Sequence, residues 1–188
     1  MKESDFISIL EAQGWICGKD GVGDSFCLFG AGGLEVQIIP SVAVRSDHFR
    51  VSLAPSVSIK EFSDVVNFIF GGARGHVPII SNKEPPEKLA ALSSDDVQRL
   101  STRVISWARS QSIEAGLTAY RSLPTDAKGA MPLRHLAALA ITGDLGRLED
   151  YKKSFETGDR LGFVPYIAAD MIDRAVLIAQ KKGWEWQS

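Results

Sequence analysis

A chain of 188 residues, 45% hydrophobic and 23% charged, has room for one well-packed domain or two small ones and falls among globular rather than disordered sequences. Its net charge of −2 and pI near 5.9 exclude the basic field that nucleic acid requires. Neither half departs from that balance, since residues 1–80 hold six Lys/Arg against nine Asp/Glu and residues 81–188 hold fifteen against fourteen. No apolar run approaches the roughly 18 residues of a membrane span. Met1-Lys2-Glu3-Ser4-Asp5 places acids where a signal peptide needs a basic region, so a cytoplasmic protein is expected.

Residues 4–13 carry Phe6, Ile7, Ile9 and Leu10 at helical spacing, and Gly14 follows as a stop. Trp15–Cys17 and Phe26–Phe29 read as strands separated by a run of turn formers over residues 18–24. Such a hairpin lets Cys17 and Cys27 face each other, although two thiols in a chain without a leader are expected to be reduced core residues. The stretch Leu34–Leu53 shows the clearest pattern. Leu34, Val36, Ile38, Val42 and Val44 share one parity, and Glu35, Gln37, Ser41, Ala43 and Arg45 the other. Folding about Ser46-Asp47 sets Val44 opposite Phe49 and Val42 opposite Val51. Pro40 predicts a bend or an edge, because proline lacks a ladder donor.

The expected fold is α+β: an N-terminal helix, a four-stranded antiparallel meander and a packing helix, followed by an all-α helical-hairpin region. The packing helix starts after Ser58, and its stripe of Phe62, Val65, Val66, Ile69 and Phe70 is predicted to lie across the inner face of the sheet. Val77–Ile80 adds an edge strand at most, because of Pro78. Asn82–Pro86 is the predicted boundary between a sheet unit over residues 1–81 and a helical unit over residues 87–188. In the latter, helices are expected from Ser94, from Ile113 to before Pro124, from Pro132 to Gly143, after an Asp144 cap, and from Pro165.

Pro132-Leu133-Arg134-His135-Leu136-Ala137-Ala138, with Gly143-Asp144 and Leu148, resembles part of an ankyrin repeat over about 25 residues. The resemblance implies a stacking helical hairpin. No second copy is apparent at the period of ~33 residues that stacking requires, so a generic hairpin is expected, with His135 a packing residue. Gly23-Asp24-Ser25 is similar to the nucleophile block of GDSL-type hydrolases, but the late Asp-x-x-His of those enzymes is missing and Ser25 enters a strand. The three histidines, His48, His76 and His135, have no metal-ligand spacing, and no cofactor or metal is expected.

Without a catalytic constellation, the expected function is a cytoplasmic, non-enzymatic protein-binding module, such as a toxin-neutralising immunity protein or an effector chaperone. The order of elements in the first 70 residues is similar to that of secretion-chaperone folds. Glu35, Gln37, Ile39, Arg45 and Arg50 on the outer sheet face, and Trp184 and Trp186 at the C-terminus, are the candidate partner-binding residues. The partner would be a toxin or secreted effector, with a homodimer as a further option and neither nucleic acid nor membrane as partner. The alternative is a small-molecule enzyme or sensor whose ligand meets Arg74, His76 and His135 between the two halves.

Overall fold

Two glycines fix the first long hairpin. Gly32 and Gly33 take φ of +63° and +88°, the two-residue turn whose twist matches that of paired strands, and Ala31 and Leu34 pair directly across it. In the computed structural model, which describes residues 1–72 and 75–185 with side chains as far as Lys181, the chain is α+β, with antiparallel sheets followed by helices. It gathers into two compact units, one made of residues 1–59 and 78–111 and the other of residues 60–77 and 112 onward. Residues 82–86 lie within the first unit.

The first unit opens with α1 (Glu3–Ala12), followed by β1 (Ile16–Lys19), β2 (Ser25–Ala31), β3 (Leu34–Ile38), β4 (Ser41–Val44), β5 (Phe49–Ser52) and β6 (Ser56–Ser58). After an excursion into the second unit it resumes with β7 (Ile80–Ser81), β8 (Glu87–Leu89) and α3 (Ser94–Arg109). The strands expected as one meander divide between two sheets. One has the order β1-β2-β3-β6-β7 and the other β4-β5-β8. The split falls at Pro40, where the run leaves the first sheet, and β6 takes the place beside β3. The hairpin register itself is as expected, with Val42 opposite Val51 and Val44 opposite Phe49.

The buried face of the larger sheet carries Cys27, Val36, Ile38 and Val57. Helix α3 packs on β3 and on α1, bringing Val97, Leu100 and Val104 to the core that holds Phe6 and Leu10. Trp15, 3% exposed, meets Phe29 at 5.2 Å between ring centroids and donates its indole N–H to Ser101 Oγ at 2.9 Å. Burying the indole therefore leaves no donor unpaired. The start of α3 is fixed by a capping box one residue earlier than the sequence suggests. Ser93 Oγ accepts the Asp96 amide at 3.3 Å, and the Asp96 carboxylate accepts the Ser93 amide at 3.0 Å.

Cys17 and Cys27 form a disulfide, correcting the expectation of two reduced thiols. They are directly opposed in the β1–β2 register, so pairing of the strands brings the sulfurs together. The hairpin turn is held independently, since Asp20 Oδ1 accepts the amides of Val22 at 3.0 Å and Asp24 at 2.9 Å.

The second unit contains α2 (Lys60–Phe70), α4 (Ile113–Arg121), α5 (Met131–Ile141), α6 (Leu145–Glu156) and α7 (Ala169–Glu185). Helix α2, whose stripe suggested a place on the sheet, packs on α5 and α7. Phe62 stacks parallel on Tyr120 at 5.8 Å between centroids. Helix α5 is the hub: Leu133, Leu136, Ala137, Ala138, Leu139 and Ala140 are all buried, and α2, α4, α6 and α7 pack around it. Its alanines let neighbouring helices approach closely from several sides. The last helix begins at Ala169 rather than at Pro165, because the loop before it is tied down by side-chain bonds. Arg160 donates to the carbonyls of Val164, Pro165 and Ile167.

Candidate functional site

Strand β4 lies at the edge of the three-stranded sheet, and among the described residues no strand pairs with its outer side. Pro40 prevents it from continuing the larger sheet, and the two-residue turn Ser46-Asp47 joins it to β5. The Arg45 amide donates to the His48 carbonyl at 2.8 Å, making 45 and 48 a hydrogen-bonded pair. Bonded and non-bonded pairs alternate along an antiparallel ladder, so Ala43–Arg50 and Ser41–Ser52 are bonded pairs as well. Val42 and Val44 consequently turn their own N–H and C=O groups away from β5, toward the free edge.

The two faces of this small sheet differ in chemistry. Val42, Val44, Phe49, Val51, Glu87 and Leu89 share one face by register. Val51 is buried at 2% exposure, whereas Val44, at the end of the edge strand, is 64% exposed, and Ile39 beside Pro40 is 48% exposed. Glu87 is engaged by α3, accepting from Arg99 at 2.6 Å and from Arg103 at 2.8 Å. Those guanidiniums, Arg99 foremost, hold its carboxyl below the usual range.

The opposite face carries Ser41, Ala43, Arg50, Ser52 and Lys88, with Arg45 and His48 continuing the same rows at the turn. Arg45, Arg50 and Lys88 are exposed, and among the described residues none of them enters an ion pair. The nearby carboxylate, Asp47 at the turn tip, is bonded to His48 Nδ1 at 2.6 Å, and that contact lowers its pKa. An edge of outward-facing backbone groups and an exposed valine on β4 thus share one small sheet with three cations, Arg45 at its turn, Arg50 on β5 and Lys88 on β8.

Of the residues singled out from sequence, Ile39, Arg45 and Arg50 lie together on or beside β4. Glu35 and Gln37 do not. They lie half-buried on β3, between β2 and β6 in the other sheet. Trp186 and Arg74 lie outside the described residues, and Trp184 falls in α7 beyond the last described side chain. Lys88 and the exposure of Val44 escaped the sequence reading. Lys88 sits just past Pro85-Pro86 in a three-residue strand with no alternation to mark it, and Val44 carries the parity of a core residue.

Of Arg74, His76 and His135, the residues of the ligand-binding alternative, His135 has both ring nitrogens engaged within the protein. His135 is completely buried, its Nδ1 bonded to the Tyr120 carbonyl at 2.8 Å and its Nε2 to the Tyr151 hydroxyl at 3.0 Å. The carbonyl can only accept, so Nδ1 bears the proton and Nε2 accepts from the phenol. Burial, aided by the Arg147 charge, lowers the imidazole pKa below its ordinary value. His135 ties α4, α5 and α6 together. His76 is half-buried in the loop after α2. Among the described residues no group of three His, Cys, Asp or Glu side chains could hold a metal, and no helix is long and apolar enough to cross a membrane.

The ankyrin-like segment does have a counterpart. Asp126-x-x-Gly129-x-x-Pro132, running from the loop after α4 into the first turn of α5, recurs 33 residues later as Asp159-x-x-Gly162-x-x-Pro165 between α6 and α7. Both glycines take positive φ, +64° and +82°. The loops are laced together: the Thr125 hydroxyl donates to the Leu161 carbonyl, and the Tyr166 hydroxyl to the Gly129 carbonyl at 2.9 Å. The recurrence was present in the sequence but spans only three identical residues.

The chain belongs to a family of unknown function (DUF6990), matched over residues 2–180. That match runs through both units. No curated protein and no solved structure matches the chain.

Proposed function

We propose that the chain is a cytoplasmic, non-enzymatic protein-binding module, of the kind that neutralises a toxin or chaperones a secreted effector. The observation that carries this reading is the open edge of β4 with Val44 exposed beside it. Free edges are ready templates for pairing, and folded proteins usually blunt them with proline, charge or a covering loop. Here Pro40 stands just before the strand, and Val42 and Val44 leave their edge groups open. The paired helices with laced loops in the second unit also fit a binding role, since stacked helical pairs commonly present extended surfaces to other proteins. The reading is tested by crosslinking and affinity capture of the full chain from cells in which it is native, followed by light scattering on the product. One partner in fixed stoichiometry is the expected outcome. Recovery of the chain alone, together with a rise in melting temperature in a small-molecule screen, would favour an enzyme or sensor instead.

A further inference from the structure

We propose that β4 binds an extended acidic segment of a partner protein, which joins the three-stranded sheet as a fourth strand. The inference rests on the protein-binding reading above and specifies the surface and the chemistry of what it takes. Val42 and Val44 offer outward N–H and C=O groups, the main-chain hydrogen bonds by which an added strand gains affinity whatever its sequence. Specificity comes from the two faces that alternate along such a strand. On one face the incoming side chains run beside Val42 and Val44 and extend the apolar row toward Phe49. On the other they run beside Ser41, Ala43 and Arg45, with the exposed Arg50 one strand further in on β5 and the exposed Lys88 beyond it on β8.

Every charged side chain that the strands themselves place on this second face is basic, although the protein as a whole has net charge −2. Like charges side by side on one face repel each other. Arg50 and Lys88 are directly opposed across β5 and β8, an arrangement relieved by carboxylates from outside. The segment that fits has acidic residues at one parity and apolar residues at the other. Edge binding of this kind is weakened by salt, because the cations are solvent-exposed.

The test uses the full-length protein and a fluorescent eight-residue peptide alternating glutamate and valine, with a lysine–valine peptide and a scrambled glutamate–valine peptide as controls, read by anisotropy. The alternating acidic peptide should bind, the other two should not, and affinity should fall as salt is raised. Val44→Pro removes the outward amide at the edge and should abolish binding. Arg50→Glu lies on an exposed position, keeps the fold if Val44→Pro does not, and should weaken binding by about tenfold or more. Equal binding of the basic peptide, no binding of the acidic one, or unchanged affinity in Arg50→Glu would overturn the proposal. Affinity capture separates its failure from that of the wider reading. A partner retained equally by wild-type, Val44→Pro and Arg50→Glu chains removes β4 as the site while leaving the protein-binding role intact, and capture of no partner removes the role itself.

Discussion

His135 shows how a residue that looks chemically available becomes structural once its surroundings are known. Its two ring nitrogens are both bonded, to the Tyr120 carbonyl and the Tyr151 hydroxyl, and it is held neutral. Burial depresses its folded-state pKa, so the unfolded chain takes up a proton first as pH falls. The stabilisation is therefore complete above about 6.5, the unfolded value, and is lost as pH falls through the lower folded value. Denaturant melts at successive pH values below about 6.5 should show a decline to which His135 contributes, and His135→Ala should remove that part of it. The same substitution should cost about 3 kcal/mol at neutral pH, because it removes the hydrogen bonds to the Tyr120 carbonyl and the Tyr151 hydroxyl and opens a cavity beneath α5. A loss well under 1 kcal/mol would mean that the two hydrogen bonds contribute little. The opposite lesson holds at Val44, whose parity reads as core and whose position at a sheet edge leaves it 64% exposed.

Strand β1 is the element most dependent on a single covalent link. It has four residues, includes Gly18, ends the larger sheet, and among the described residues pairs only with β2. An edge strand of this length has few ladder bonds of its own to hold it. The Cys17–Cys27 disulfide closes a loop with a sequence separation of 10 and should stabilise the fold by about 2–3 kcal/mol through the unfolded state. The measurement is chemical denaturation of the oxidised protein against the Cys17→Ser/Cys27→Ser variant, with hydrogen exchange followed at Ile16–Lys19. Protection should fall at β1 and persist at β2 and β3, which stay paired. In a reducing cytoplasm such a bond would be transient, so two titratable thiols in protein isolated under native conditions are compatible with the cytoplasmic reading. Equal denaturation midpoints for the two proteins would show that the ladder alone holds β1.

The whole molecule is built by an excursion and a return. Residues 60–77 leave the sheet unit to pack with α5 and α7, and residues 78–111 come back to supply β7, β8 and α3. A fragment ending at residue 81 would lack α3, hence the Ser101 partner of Trp15, and would expose the apolar stripe of α2. It should show no cooperative thermal transition by circular dichroism, whereas the full chain should. A sharp transition in the fragment would indicate that the sheet unit is complete without α3.

Much of this arrangement was legible in the chain alone. Alternation over Leu34–Leu53 fixed the β4–β5 register, Pro40 marked the break, and caps, prolines and glycines placed the helices to within a few residues. These features are local: they depend on the backbone preferences and polarity of residues a few positions apart. What the sequence left open depended on partners distant along the chain. Which sheet each strand joined, that α3 packs on β3, that Cys17 and Cys27 bond, and that β4 is an edge among the described residues were decided by tertiary packing. The physical reason is that an apolar stripe specifies that it must be covered but not by what, and a strand's two edges carry the same backbone groups whether or not a neighbour arrives.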